Sequence, residues 1–212
     1  MASQKYEASG PEAEAQPGSR GRVLRNLAGI ARVREMDVAE ARALQAAMDR
    51  FVREFDELHR FTAADIRRMH RTWLGEIYEW AGEYRSVNMS KDGFPFAKAA
   101  LIPDLMLKLQ SRVLSRFTPC RFERSADVVE ALAQVHVELV LIHPFRDGNG
   151  RIARALSILM ALQANLPLID FSAIAGKRKV DYFAAIHAGL RENYRPMERI
   201  FDELIRRSLA GS

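Results

Sequence analysis

Apolar residues recur every three or four positions through most of the chain, the spacing of one face of an α-helix. The first such stretch begins at Asp37, which can cap a helix, and runs to about His59. The second is capped by Thr62 and continues through Trp80 to a stop at Gly82. The apolar stripe predicted for the first helix comprises Val38, Ala41, Leu44, Met48, Phe51, Phe55 and Leu58.

Residues 84–97 break this rhythm, and Asp92-Gly93 between two short apolar runs predicts a β-hairpin. Helical spacing then resumes. The remaining predicted helices run from Pro103 to about Phe117, from Ala126 (capped by Ser125) to about Ile142, from Asn149 to about Gln163, from Lys179 to about Glu192 and from Pro196 to about Leu209. The predicted fold class is all-α, a bundle of about seven or eight helices with one short β-hairpin.

Residues 1–22 lack this periodicity and are rich in glycine, proline and small residues, which predicts a mobile N-terminal tail before a single domain over residues 23–212. They also lack the apolar core of a signal peptide. The most apolar stretch, Ala155–Ile169, is too short and too interrupted to span a bilayer. We therefore expect a cytoplasmic protein with no membrane partner.

The charge balance is mildly basic. The chain has 32 Lys and Arg against 27 Asp and Glu, 26 of the cations are arginine, and the pI is near 9.6. This balance favours an anionic ligand. A nucleic-acid arm at Arg20–Arg34 is the less favoured interpretation, because no aromatic residues are interleaved there to stack on bases. The single cysteine, Cys120, excludes an internal disulfide framework.

The most informative segment is His143–Arg154, HPFRDGNGRIAR. Pro144 disfavours helical geometry at His143, so the preceding helix should end there. Gly148, Asn149 and Gly150 can direct successive backbone N–H groups at one ligand. A new helix follows at once, and its unpaired N–H groups face the same point, which predicts an anion site.

Side chains of this segment add to that site. Arg151 and Arg154 are three residues apart on the new helix and share a face that suits a di- or triphosphate. Asp147 offers the single carboxylate that Mg²⁺ needs beside phosphate oxygens. His143 has a side chain suited to general-base work, and Phe145 is expected to bury itself and pin the loop.

The segment resembles the signature of the Fic family, H-P-F-x-[D/E]-G-N-G-R-x-x-R, and every fixed position is filled. Residues 77–82 and 87–91 resemble the stretch leading into the family's flap hairpin. Tyr182-Phe183 and residues 194–197 resemble its C-terminal helices. The resemblance covers most of residues 25–205 and implies a Fic fold with a flap at about 84–97 and the signature loop at 143–154.

The resemblance implies transfer of AMP from ATP to a Tyr, Thr or Ser hydroxyl of a target protein, with release of pyrophosphate. His143 would be the base that deprotonates the hydroxyl, and Asp147 would hold Mg²⁺. The nucleotide-binding residues that it implies are Phe145, Asp147, Gly148, Asn149 and Gly150 of the loop, Arg151 and Arg154 for the β- and γ-phosphates, Lys91 and Asp92 of the flap, and Tyr182 beside the adenine.

The resemblance assigns the target protein to the flap, where it would dock by strand addition beside Phe94 or Phe96. The flap residues could equally form an exposed turn with packed aromatics. For Tyr182, an ordinary core or surface tyrosine is the favoured interpretation. His136, two turns before His143, is expected to be a core residue.

Many Fic proteins carry an inhibitory helix, [S/T]-x-x-x-E-[G/N], and this sequence contains no suitable match. The chain therefore resembles the subgroup of bacterial toxins that are held by a separate small antitoxin protein, although a secreted effector is also compatible with the sequence. Transfer of a phosphoryl group or of another nucleotide monophosphate would use the same fold, and so would a non-catalytic docking module. The intact Gly148–Arg151 segment favours AMP transfer.

Overall fold

Helices form most of the computed structural model, which describes residues 7–8, 14–174 and 178–210. The mostly helical fold class predicted from the sequence is confirmed. The helices are α1 (Val33–Glu54), α2 (Ala63–Leu74), α3 (Ile102–Leu109), α4 (Ser125–Ile142), α5 (Asn149–Gln163), α6 (Arg178–Ala188) and α7 (Arg195–Ala210), and the strands are β1 (Glu7–Ala8), β2 (Met89–Lys91) and β3 (Phe94–Pro95). A π-helical turn, Gln110–Leu114, and a final turn, Ser115–Phe117, prolong α3.

Helix α4 lies at the centre of the bundle and contacts α3, α5, α6 and α7. Leu132, Val135 and Leu139 are almost fully buried, and so are residues on its other faces. A helix that is apolar all round is driven into the core. Helix α4 ends at Ile142, as the argument from Pro144 predicts, and α5 begins at Asn149. The two helices therefore hold the signature loop between them.

Helix α1 differs from its prediction, since it begins at Val33 instead of Asp37 and ends at Glu54. Its buried face contains Met36, Glu40, Ala47 and Phe51. The predicted stripe is therefore wrong in part, because Val38 and Leu58 are exposed. The buried face of α1 differs from the predicted stripe, because it contains the carboxylate of Glu40. A prediction based on apolar residues does not include a glutamate.

Helix α2 has the predicted cap: Thr62 and Asp65 form a reciprocal capping box. It ends at Leu74 and not near Gly82, because residues 75–82 turn back along it. The turn is fixed by the N–H of Gly82, which donates to Nδ1 of His70 at 2.9 Å. Gly82 has φ +81° and lies so close to α2 that a Cβ there would be 2.7 Å from Arg71 Cβ.

The predicted hairpin is present as β2 and β3. Asp92 and Gly93 both have positive φ, the backbone that a two-residue hairpin turn requires. The sequence did not predict β1, which pairs antiparallel with the other edge of β2, with Glu7 opposite Ser90.

Much of the predicted tail lies outside the described residues, but residues 14–22 are held by contacts. The N–H of Gln16 donates to Val23 O at 2.8 Å, and Ser19 is buried. No helix in the described ranges is long and apolar enough to cross a membrane. Near the C-terminus, α6 ends at Ala188, four residues before the predicted end, and a 3₁₀ turn, Gly189–Arg191, follows it.

Candidate active site

His143 caps the C-terminus of α4 in a left-handed conformation, with φ +53°, and is 3% exposed. Its Nδ1 lies 3.1 Å from Val140 O, which can only accept, so Nδ1 carries the proton. This hydrogen bond leaves the lone pair on Nε2. Phe96 of the flap stacks on the imidazole at 3.7 Å. The ring is thus held in the tautomer and orientation that a general base needs.

Arg85, which the sequence analysis missed, ties the flap to His143. Its buried guanidinium donates to His143 O at 2.8 Å and, at 2.6 Å each, to Val87 O and Ala97 O at the two ends of the flap. The only local signal was an arginine at the start of the hairpin segment. Its partners lie up to 58 residues away, beyond any local pattern.

Phe145 and His70 hold the signature loop in place. Phe145 is fully buried and stacks on the His70 ring at 3.9 Å. Because His70 Nδ1 accepts from Gly82, its Nε2 carries the proton and donates to Asp147 O at 3.0 Å. Burial lowers the pKa of His70 to about 4, so the ring is neutral at pH 7.

Asn149 closes the loop on itself, since its side chain donates to Phe145 O at 2.7 Å and accepts from Phe145 N–H at 2.8 Å. Neither Asn149 nor Phe145 lines the cleft. Phe145 is buried in the loop, as the sequence predicted, and the Asn149 side chain braces the loop while its N–H belongs to the first turn of α5. Contact of either residue with nucleotide stays a prediction.

Gly148 is the one glycine of this loop that the backbone demands. Its φ is +82°, and a Cβ there would come within 2.7 Å of the Trp73 ring. Gly150 has ordinary helical geometry and open space around its Cβ position. Residue 148 thus needs the backbone freedom of glycine, whereas the missing side chain at residue 150 keeps the cleft open beside the N-terminus of α5.

Asp147 stands at the edge of the same turn. Its Oδ1 accepts from the Gly148 N–H at 2.6 Å, and its Oδ2 is 3.6 Å from Nη2 of Arg151. No group of three or more His, Cys, Asp or Glu side chains within the described ranges is arranged to hold a metal. A single carboxylate fits Mg²⁺, which keeps several waters and takes its other ligands from phosphates.

The two arginines have different surroundings. Arg151 pairs with Glu40, and its guanidinium lies over the Trp73 ring at 4.6 Å. Burial alone would lower the pKa of Arg151, but the carboxylates of Asp147 and Glu40 outweigh it and raise the pKa. Arg154 lines the cleft, and no carboxylate in the described part of the chain pairs with it.

These groups surround a cleft of about 520 Å³ between the flap, the loop and α6. Its mouth is narrowed by two contacts between flap and α6: Lys91 Nζ lies 4.4 Å from the Phe183 ring centre, and Phe94 stacks on His187 at 4.1 Å. The predicted site residues that line it are Lys91, Asp92, His143, Asp147, Gly148, Gly150, Arg151, Arg154 and Tyr182.

Tyr182 is a buried tyrosine, 6% exposed, that also lines the cleft, and its contact with adenine stays a prediction. Ser157 donates to Ala153 O, so it accepts from His136 Nδ1, and His136 Nε2 accepts from the Tyr182 hydroxyl at 2.6 Å. Burial, aided by the charge of Arg154, lowers the pKa of His136 to about 3. A neutral core histidine thus anchors the cleft wall.

Comparison with known proteins agrees with this geometry. A sequence model described as the Fic/DOC family matches residues 60–161. A probable protein adenylyltransferase, y4lH, of Sinorhizobium fredii is 30% identical over 75% of this chain, and the match covers 80% of that protein. The chain belongs to the Fic/DOC family.

Other Fic proteins show the same relationship. Protein adenylyltransferase VbhT of Bartonella schoenbuchensis is 29% identical over 97% of this chain. The N-terminal Fic domain of a putative cell filamentation protein of Bartonella quintana, solved with bound ADP, superposes with a TM-score of 0.68 at 26% identity, over 85% of this chain and 89% of that one. The chain spans only 40% of the length of VbhT and 27% of protein adenylyltransferase fic-1 of Caenorhabditis briggsae.

Proposed function

We propose that this protein is a protein adenylyltransferase that moves AMP from ATP to a side-chain hydroxyl of a target protein. The observation that carries the proposal is the placement of His143, with its lone pair on Nε2, beside the open N-terminus of α5 and two arginines in one cleft. The names of the relatives support it, since y4lH and VbhT are both described as adenylyltransferases.

In this mechanism Nε2 of His143 takes the proton from the target hydroxyl. The hydroxyl oxygen attacks the α-phosphorus of ATP, a new O–P bond forms, and the bond to the β-phosphate oxygen breaks. The first-turn N–H groups of α5 and the guanidinium groups of Arg151 and Arg154 stabilise the charge on the phosphates and on the departing pyrophosphate. Positioning and charge stabilisation thus supply most of the catalysis.

Asp147 is the residue that would hold Mg²⁺, and the ion would neutralise phosphate charge when bound. Its carboxylate is kept in place by the Gly148 N–H and by Arg151. Phe96 and Tyr182 would help to exclude water from the reacting atoms, because Phe96 stacks on His143 and Tyr182 lines the same cleft.

The target segment would dock along the flap, which offers backbone groups to an added strand. In the described residues β1 already covers the outer edge of β2, so an added strand would pair with β3 or displace β1. We also propose that the protein is the toxin of a toxin–antitoxin pair. The absence of a carboxylate on Arg154 within the described ranges supports this, since an internal inhibitor would place one there.

The proposal is tested by incubating the protein with Mg²⁺ and a bacterial lysate, with ATP labelled at the α-phosphate in one reaction and at the γ-phosphate in another. We expect a protein band labelled from the α position only. His143→Ala should abolish it, as should His143→Asn, which tolerates the left-handed backbone better. His59→Gln, outside the cleft, is the matched histidine control and should label normally. Label from the γ position alone would indicate phosphoryl transfer instead.

A further inference from the structure

Glu40 is a buried carboxylate that no part of the mechanism above uses. It belongs to α1, outside the residues that the family model matches, and it is 5% exposed. Its Oε1 accepts from the Tyr78 hydroxyl at 2.7 Å, and its Oε2 pairs with Nη1 of Arg151, 111 residues away in sequence. A buried carboxylate with two such partners is held in one position.

Trp73 completes the surroundings of Arg151. Its indole N–H donates to the backbone oxygen of Glu40 at 2.9 Å, and its ring supports the Arg151 guanidinium at 4.6 Å. Only 23% of the Arg151 side chain is exposed. Helix α1, the tryptophan and the arginine are therefore packed as one unit beneath the cleft.

Two roles for Glu40 make opposite demands on its position. An inhibitory carboxylate has to occupy the place of a phosphate and so has to line the cleft. Arg151 lines the cleft, but Glu40, Tyr78 and Trp73 do not. The carboxylate thus lies behind the guanidinium, and Nη2 of Arg151 lies on the side of Asp147.

We propose that Glu40 is a positioning residue for the nucleotide: from behind, it fixes Arg151 in the orientation that receives the ATP phosphates. The inference rests on the proposed function in one respect, that the anion bound in the cleft is ATP. An arginine has many rotamers, and a partner that fixes one of them before the ligand arrives lowers the cost of binding. Helix α1 is on this account a part of the active site.

The test compares Glu40→Gln with the wild-type protein. Glutamine keeps the shape and still accepts from Tyr78, but its amide hydrogens face the guanidinium, so Arg151 loses its acceptor. We expect Kd and KM for Mg·ATP to rise about tenfold, equivalent to ~1.4 kcal/mol, with a smaller change in kcat at saturating ATP. Glu35→Gln, an exposed glutamate of the same helix, should change neither constant.

A double mutant separates positioning from a merely structural role. If Glu40 acts through Arg151, adding Glu40→Gln to Arg151→Gln should cost no further ATP affinity. Tyr78→Phe, which leaves the carboxylate but removes one of its donors, should raise Kd in the same direction by less, and it stands in for Glu40→Gln if that variant folds poorly.

Three results would overturn the inference: Kd and KM equal to the wild-type values in Glu40→Gln, additive effects in the double mutant, or faster transfer in Glu40→Gln, which would make Glu40 an inhibitor. Failure of the proposed function is seen separately in the wild-type protein. If the wild-type protein binds no ATP, both the proposed function and the role of Glu40 are refuted. If it binds ATP but transfers no AMP, only the proposed function is refuted, and the Kd comparison still decides the role of Glu40.

Discussion

Gly148 and Gly150 stand two residues apart in one loop but meet different surroundings. An alanine at residue 148 would have to adopt a positive φ, and its methyl group would collide with Trp73. A methyl group at residue 150 would point into open space in the cleft. The two alanine variants therefore separate the stability of the loop from its ligand binding.

Gly148→Ala should lower the free energy of unfolding by about 2 kcal/mol or more and abolish AMP transfer. Gly150→Ala should leave stability unchanged or raise it by about 0.5 kcal/mol, because alanine favours a helix, while weakening ATP binding. Urea denaturation measures the free energy of unfolding, and nucleotide titration measures the affinity for ATP. Equal losses of stability in the two variants would show that the contacts of Gly148 are not what the loop depends on.

His70 makes stability depend on pH. Its pKa is about 4 in the folded protein and near 6.5 when unfolded, so the unfolded chain binds a proton first as the pH falls. Stability from this group is complete above pH 6.5 and decreases toward pH 4, by about 2 kcal/mol at pH 5.

The check compares urea midpoints of the wild-type protein and His70→Gln at pH 7.5 and pH 5. The variant keeps a donor for Asp147 O but has no proton to gain, so it should lose less stability on acidification. His136 remains in both proteins and contributes equally. Parallel losses in the two proteins would mean that His70 does not carry this dependence.

The residue types of the site could be read from the sequence, because each chemistry in residues 143–154 needs a particular side chain at a particular spacing. The structural role of each residue could be predicted only in part. The burial of Phe145 was predicted, but the two hydrogen bonds between the Asn149 side chain and the Phe145 backbone were not, because they form only in the folded loop.

The flap is joined to His143 through Arg85. One guanidinium donates to carbonyls at both ends of the hairpin and to His143 O. The hairpin was predictable from Asp92-Gly93, since turn chemistry is local. The arginine clamp was not, since its partners are brought together only by the fold.

Arg85→Lys should retain the charge but lose most of these hydrogen bonds, because one ammonium group cannot reach three separated carbonyls. We expect a loss of about 2 kcal/mol or more in stability and faster hydrogen exchange in residues 89–96. AMP transfer to the target should fall more than ATP affinity does. Unchanged exchange in the flap would contradict the clamp.

The helix boundaries also could be predicted where the signal is local in sequence and not where it depends on distant contacts. The C-terminus of α4 and the N-terminus of α5 were predicted well, because Pro144 and Gly148 mark them directly, whereas Ser125 is the first residue of α4 and not its cap. The buried face of α1 was displaced, because Glu40 is buried by partners on α5 and on the turn after α2 that no local window contains.

The cleft and its supporting contacts extend beyond residues 60–161, which the family model matches. Tyr182 and Phe183 of α6 line the cleft, and Glu40 of α1 pairs with Arg151. Met197 and Phe201 of α7 are fully buried in the common core.

A fragment limited to residues 60–161 should therefore neither melt cooperatively nor bind ATP, because it lacks the helices that bury α4 and support Arg151. Thermal unfolding followed by circular dichroism, with nucleotide titration of the same sample, tests this expectation. A cooperative transition together with wild-type ATP affinity would show that the flanking helices are dispensable.

AMP transfer by His143 in this cleft fixes the ratio of pyrophosphate released to AMP attached. A purified target protein would be incubated with enzyme, unlabelled ATP and Mg²⁺. The amounts of pyrophosphate and ADP released would be compared with the amount of modified target, identified by mass spectrometry. We predict one pyrophosphate for each AMP attached to a target hydroxyl, and neither with His143→Asn. Release of ADP with a phosphorylated target would show phosphoryl transfer instead, and an AMP adduct that persists with His143→Asn would show that His143 is not the base.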